Sequence, residues 1–317
     1  MPIFAIDKPL QLTSHDVVAR ARRVLGTRKV GHGGTLDPLA TGVLVLLSGE
    51  ETKLSPYLSG AAKEYLAWVS FGAGTPTLDA EGPITETADP AGLDAPTVER
   101  VAREFLGVTM QEPPQFSAVK RGGEKGYQAA RAGRQLELPA RPVGYRRIEL
   151  LGFAADRDAL PGSFTRDDDG VWRASDAAHA YVPPLPETLG TFPTALLHLE
   201  VAAGTYIRSF ARDLGARLGV PAHLSGLLRT RAGRVGLEDA VPVESLGEGP
   251  AIDPARALQL PQLVLSDEEA RRVRLGQRLA HVLDGPTMLI DGDGRLVALA
   301  ETREGRMKLL RVFLETG

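Results

Sequence analysis

The run Gly31-His32-Gly33-Gly34-Thr35-Leu36-Asp37-Pro38-Leu39-Ala40-Thr41-Gly42 sets a single carboxylate in a glycine-framed turn, directly ahead of an apolar stretch over residues 43–47. Glycine permits turn angles and lets a ligand approach the backbone, while Pro38 fixes its own φ and drives Asp37 away from helical geometry. Asp37 is therefore expected to hang from rigid backbone, which is the layout of an active-site acid. The glycines do not make a dinucleotide fingerprint, because the third is out of place and the run leads into a predicted strand. No Gly-Lys-Ser/Thr follows to make a phosphate loop. The chain has no cysteine, which excludes disulfides, thiolate nucleophiles and zinc held by thiolates. Any covalent nucleophile is an oxygen or a nitrogen.

The flanking segments must hold that turn. Residues 4–7 read as a short strand ending at Lys8-Pro9. Ser14 reads as the N-cap of a helix with the apolar stripe Val17, Val18, Ala21, Val24 and Leu25, stopped by Gly26. Residues 43–47 read as a buried strand, and 64–71 alternate in the manner of a half-buried one. Asp94 caps a predicted helix over 94–106, with Gly107 as its stop. Residues 113–120 break regular structure, and 127–131 suit a short helix ending at Gly133. Residues 154–193, rich in Gly, Pro and Asp, read as a loop insertion. Thr194–Val201 reads as a strand, followed by an amphipathic helix over 205–218 and Gly219. Beyond about Ala251 a capped helix over 266–276 precedes strands over 288–290, 296–300 and 307–313.

The length of 317 residues suggests about two domains, and 43% apolar with 24% charged residues is the balance of a soluble globular protein. No signal-peptide layout and no apolar run of membrane-spanning length is present, so a cytoplasmic protein without membrane contact is expected. A net charge of -3 rules out a uniformly basic nucleic-acid binder; such binding would need segregated charge. Arg20, Arg22, Arg23, Arg28 and Lys29 do crowd the approach to Asp37. A second basic stretch runs from Lys120 and Arg121 through Lys125, Arg131, Arg134 and Arg141 to Arg146 and Arg147, while acids gather over 79–104 and 156–176.

In order along the chain, Lys8-Pro9, the run Gly31 to Gly42, and Gly204-Thr205-Tyr206-Ile207-Arg208 resemble the motifs of the TruB family, the bacterial tRNA pseudouridine-55 synthases. The resemblance covers nearly the whole chain. It implies isomerisation of uridine to pseudouridine at position 55, in the T arm of tRNA, with no metal and no cofactor. The nucleotide would be flipped out of its loop, the C1′–N1 bond broken, the base turned and C1′ joined to C5. By this resemblance Asp37 is the catalytic carboxylate, either trapping C1′ or assisting an elimination at the sugar. Arg208 supplies the cation that keeps it ionised, since burial alone favours the protonated form. Tyr65 is a catalytic tyrosine that stacks on the uracil and can take part in proton transfer, Leu227 floors the pocket, and His32 fills the gap that the flipped base leaves. Arg229 suits a phosphate contact, and Lys8 and Pro9 shape the pocket wall. The basic segment 110–142, with Lys120 and Arg131, corresponds to a thumb that grips the RNA.

The expected fold class is α+β: a mixed, mainly antiparallel sheet flanked by helices, with a small C-terminal β-rich domain that resembles a PUA domain. The expected domains are a catalytic one over residues 1–250, including the thumb and the 154–193 insertion, and the PUA-like one over 251–317. With no heptad seam in the chain, a monomer with tRNA as its partner and no obligate protein partner is expected. Two other readings remain open on the residues alone. A metal-dependent hydrolase could use His32, Asp37 and His223, although their spacing lacks the usual ligand pattern. A non-catalytic RNA-binding or tRNA-folding protein would fit the basic segments but leaves the framing of Asp37 unexplained.

Overall fold

The computed structural model describes residues 3–117, 119–258 and 260–313, without the side chains of Lys120, Lys125 and Arg131. Its first strands and helices are β1 (Ile3–Lys8), α1 (Ser14–Val24), β2 (Val30–His32), β3 (Ala40–Ser48) and β4 (Lys63–Phe71). Then come α2 (Ala95–Arg103), β5 (Gly107–Gln111), α3 (Gly126–Arg131), β6 (Arg141–Ala154), β7 (Phe164–Arg166), β8 (Trp172–Ala174) and β9 (Thr194–Val201). Next are α4 (Ile207–Leu218), β10 (Ala222–Ala232), β11 (Val235–Gly236) and β12 (Ala240–Pro242). The C-terminal part holds β13 (Gln262–Val264), α5 (Asp267–Arg274), β14 (Thr287–Ile290), β15 (Leu296–Arg303) and β16 (Arg306–Val312).

Ten strands form one mixed sheet in the order β12-β1-β3-β10-β4-β9-β6-β5, with β2 beside β3 and β11 beside β10. Only β1 with β12 and β3 with β10 run parallel, so the sheet is mainly antiparallel, as expected. A separate four-stranded sheet orders β13-β14-β15-β16, with α5 over it. The fold is α+β.

Both faces of the large sheet are covered. On one face, Val17 and Val18 of α1, Val98 and Val101 of α2, and Phe210 and Leu214 of α4 pack on Leu44, Leu46, Ala67 and Val69. The opposite face is sealed by Leu160, Phe164 and Trp172 of the 154–193 segment and by Met288, Ile290 and Leu299 of the small sheet. This corrects the half-buried reading of β4, which is buried along almost its whole length. It also corrects the loop reading of 154–193. That segment holds the β7–β8 hairpin, and Phe164 meets Trp68 edge-on at 5.9 Å. Strands β5, β6 and β10 are absent from the sequence reading, although β10 sits centrally between β3 and β4.

The N-cap of α1 is Thr13, not Ser14: Thr13 and Asp16 exchange a capping box. Ser14 is freed to cross to the Asp37 turn, where its hydroxyl donates to the Leu36 carbonyl (3.0 Å) and accepts from the Leu36 N–H (2.8 Å). Gly107 does not stop the Asp94 helix, which ends at Arg103 with Glu104 as its C-cap, while Gly107 opens β5. Three other caps follow expectation. Asp94 accepts from the Thr97 N–H, Ser266 boxes with Glu269, and Gly219 ends α4 at φ 79°.

Candidate active site

Asp37 hangs between β2 and β3, and the turn can join the sheet only because residue 42 is glycine. Gly42 has φ +90° and faces Arg229 across the parallel β3–β10 pairing; a Cβ there would lie 2.3 Å from the Arg229 carbonyl oxygen. Side-chain donors then fix the backbone carbonyls of the turn. Arg229, 1% exposed, donates through Nε to Val43 (2.7 Å), Nη1 to Thr35 (3.2 Å) and Nη2 to Gly34 (3.1 Å). Lys8, fully buried, donates through Nζ to the carbonyls of Leu12 (2.6 Å), Pro9 (2.8 Å) and Pro38 (3.4 Å). Burial pushes Lys8 down to about 8, against the pull of the Glu81 and Asp37 carboxylates.

The opposing charge comes from the first turn of α4. Arg208 Nε lies 2.9 Å from Asp37 Oδ2, a close ion pair whose N–H is not aligned as a hydrogen bond. Its Nη1 sits 3.6 Å from Asp79 Oδ2 and donates to the Thr77 carbonyl at 3.0 Å; its Nη2 donates to the Phe116 carbonyl, also at 3.0 Å. The Asp37 side chain is 35% exposed and faces an open cleft of about 770 Å³, whereas Asp79 is 2% exposed. Burial pushes the Asp79 carboxyl up while Arg208 pulls it down. At the cleft, desolvation and then the charges of Asp79 and Asp37 bring Glu81 up to about 7.

Asp37, Arg208, Tyr65, Leu227, His32 and Arg229 all line this one cleft. Burial, then the charge of Arg229, lowers the pKa of His32, and its Nδ1 accepts from the Gly34 N–H at 3.3 Å. A neutral ring follows at pH 7. Other expectations fit less well. The Arg229 guanidinium is buried and committed to three carbonyls, so it holds the Asp37 turn in place of a phosphate. Lys8 and Pro9 stand behind the wall, where Lys8 ties the Pro9 and Pro38 carbonyls together. Lys120 pairs with Lys125 across a short hairpin and Arg131 ends α3, but both side chains lie outside the described part. His223 is buried away from the cleft with Nδ1 2.9 Å from the Ala73 carbonyl oxygen, so the three-residue metal set is not assembled.

Among the cleft residues missing from the expected site are three charged ones, Asp79, Glu81 and Lys63. Asp79 reads in the sequence as part of an acidic stretch. The signal available was an acid following Thr75-Pro76-Thr77-Leu78, a turn-prone stretch that strand β4 leads into. Lys63 donates to the carbonyls of Ser59 (2.5 Å) and Ala61 (2.7 Å), and burial pushes it down to about 8.

Comparison with known proteins gives the chain its family. Residues 22–163 match the family model of the TruB family pseudouridylate synthase N-terminal domain, and residues 260–314 that of the tRNA pseudouridine synthase II C-terminal domain. The tRNA pseudouridine synthase B of Deinococcus radiodurans is 51% identical over 313 residues, covering 99% of this chain and 100% of the relative. That of Thermus thermophilus is 52% identical, covering 99% of each. Among solved structures, a chain of an archaeal box H/ACA Nop10-Cbf5 complex superposes with a TM-score of 0.61 at 23% identity, over 99% of this chain and 86% of that one. A chain of an H/ACA RNP bound to a substrate RNA containing 2′-deoxyuridine gives 0.63 at 23%, over 99% and 85%. These two show a shared fold. The end-to-end match to the bacterial relatives shows more: the chain belongs to the TruB family and is a tRNA pseudouridine synthase, an isomerase of uridine.

Proposed function

We propose that this enzyme acts on uridine 55 in the T arm of tRNA, drawing the flipped nucleotide into the Asp37 cleft and using Asp37 at its sugar. The observation that carries the reading is the 2.9 Å ion pair between half-exposed Asp37 and buried Arg208 at the floor of an open cleft. Buried Arg208 holds one side of Asp37, and the exposed face of Asp37 leaves it room to meet a substrate. Whether the carboxylate attacks C1′ or promotes elimination, it must be anionic and next to the ribose. Tyr65 and Leu227 offer the detached uracil a stacking ring and an apolar floor. The base then turns, C5 bonds to C1′, and the proton lost from C5 is balanced by one gained at N1. Neutral His32, on the same turn as Asp37, fills the stack left by the extruded base at less desolvation cost than a cation.

The segment 110–142 serves as the RNA-gripping thumb in this reading. Its helix α3 brings Tyr127 to the cleft. Residues 251–317 serve as a PUA-like RNA-binding module, supported by a mainly basic hollow of about 490 Å³ lined by Arg278, Arg303, Arg306 and Lys308 together with Glu304. The enzyme is taken to act in the cytoplasm, where it would meet tRNA, and as a monomer. No described helix is long and apolar enough to cross a membrane.

The test uses tRNA transcripts tritiated at uridine C5, assayed in EDTA. Forming the C1′ to C5 bond expels one tritium per target, so wild-type enzyme is expected to release one equivalent, and none from a transcript with cytidine at position 55. Release that survives that change would move the target elsewhere. Asp37→Asn is expected to stop release while tRNA binding persists; normal turnover by that variant would end the assignment.

A further inference from the structure

The 110–142 segment leaves the sheet at Gln111 and returns at Arg141, and these two residues face each other in register on β5 and β6. Both hold the same piece of chain, the turn from Gly204 to Tyr206 that starts α4. Gln111 is 2% exposed, and its side chain acts as a strand neighbour would: Oε1 accepts from the Tyr206 N–H (2.9 Å) while Nε2 donates to the Tyr206 carbonyl (3.1 Å). The same Nε2 donates to the Tyr145 hydroxyl at 2.9 Å. Arg141 donates to the Gly204 carbonyl (2.9 Å) and lies over the Tyr206 ring, 4.9 Å from its centroid.

Tyr206 is the N-cap residue of α4, and its own side chain makes no capping bond. Helix starts leave N–H groups without intrahelical acceptors, so an amide from a neighbouring strand fixes where this helix begins. Arg208 lies two residues further on. The segment holds it directly as well, since the Phe116 carbonyl accepts from Arg208 Nη2, and the Glu112 carbonyl accepts from Ser209 Oγ (2.8 Å) and Arg212 Nη2 (3.1 Å). The guanidinium is therefore fixed by this segment on one side and by Asp37 and Asp79 on the other.

We propose that Gln111 is a positioning residue through which the 110–142 segment aims Arg208 at Asp37, so that seating of this segment and competence for chemistry are coupled. The inference rests on Asp37 and Arg208 being the reacting pair. Glutamine suits the task because it offers a donor and an acceptor at one reach; glutamate keeps only the acceptor, and leucine keeps neither. An interaction of this kind is worth orientation rather than affinity, and a small misplacement of a charged group at a reacting centre costs rate.

The test measures single-turnover tritium release at saturating enzyme, tRNA dissociation constants and thermal unfolding for the full chain with Gln111→Leu, Gln111→Glu, Arg208→Lys and the Gln111→Leu, Arg208→Lys double variant. Gln111→Leu is expected to slow the saturated rate at least about tenfold with tRNA affinity changed less than about threefold, and Gln111→Glu to fall between it and wild type. The double variant is expected to be no slower than the slower of the two single variants, because both changes disturb one guanidinium. Multiplied losses in the double variant would overturn the proposal, as would a Gln111→Leu defect that disappears at saturation. If Gln111→Leu fails to unfold cooperatively, the same cycle with Gln111→Glu decides on the same criteria. A wild-type rate in Arg208→Lys would instead sink the proposed function at Arg208, and this inference with it.

Discussion

Asp37 and Asp79 reach the same guanidinium from two loops, both rich in glycine and proline, that are tied down in different ways. The Asp37 turn is framed by glycine and proline, and its backbone carbonyls are tied down by Arg229, Lys8 and Ser14. The Asp79 loop places Leu78, not glycine, in the left-handed region at φ 64° and is tied to β10 by backbone bonds: Ala80 N–H to Leu224 carbonyl and Leu224 N–H to Leu78 carbonyl, each 3.0 Å. One carboxylate ends 35% exposed and the other 2% exposed. A buried charge needs compensation, and Arg208 is 5% exposed. Asp79 answers that need from behind while Asp37 keeps a face open to the cleft. A presented carboxylate and a compensating one thus differ in burial, though both touch one cation.

The sharpest way to break this comparison is to neutralise each acid in turn. Asp37→Asn is expected to lower the single-turnover rate by about 10³-fold or more with little change in melting temperature. Asp79→Asn should cost between about 10- and 100-fold in rate and also lower stability by about 1–3 kcal/mol, because buried Arg208 loses a partner. Equal rate losses with no stability difference would make the two acids interchangeable. A smaller effect separates the two backbones. Gly42→Ala should lose about 3 kcal/mol or more in urea unfolding, since the added methyl meets a carbonyl at a φ that L residues avoid. Leu78→Gly should stay within about 1 kcal/mol of wild type, relief of the left-handed strain being offset by greater freedom in the unfolded chain. A tolerated Gly42→Ala would mean that the Asp37 turn is not rigid.

What could be read in advance divides along the same line. Local signals sufficed for the Asp37 turn, for the strand Thr194–Val201, whose bounds match, and for helices announced by Asp94, Ser266 and Gly219. Strand β10 could not be read this way. Its Ser225, Gly226, Arg229 and Arg231 look unlike a central strand, and the acceptors that make Arg229 tolerable there lie 186 to 195 residues away in sequence. Strand β6 hid in an arginine-rich stretch for the same reason. The 154–193 segment reads as loop because its apolar residues follow no period, and Leu160, Phe164 and Trp172 gain meaning only against the sheet face around Trp68. Arg208 could be paired with Asp37 through a family resemblance; Asp79, with no such motif beside it, became visible only once β10 and the Leu78 backbone placed it.

The faintest expected effect belongs to Glu81, the third carboxylate at the cleft. Its folded-state value of about 7 lies above the ordinary 4.5, for desolvation and the charges of Asp79 and Asp37 disfavour its anion. Between those two values the folded chain holds more proton than the unfolded one, so this group's stabilising contribution, full below about 4.5, is lost as pH rises through about 7. A glutamine at this position does not titrate and has no such dependence. The melting temperature of Glu81→Gln relative to wild type is therefore expected to rise from about pH 5 to about pH 8. Because Glu81 is exposed, solvent screening holds the rise to about 1–2 °C. A difference that stays flat with pH would separate Glu81 from the field of the two aspartates, leaving Asp37 and Asp79 as the acids that Arg208 organises.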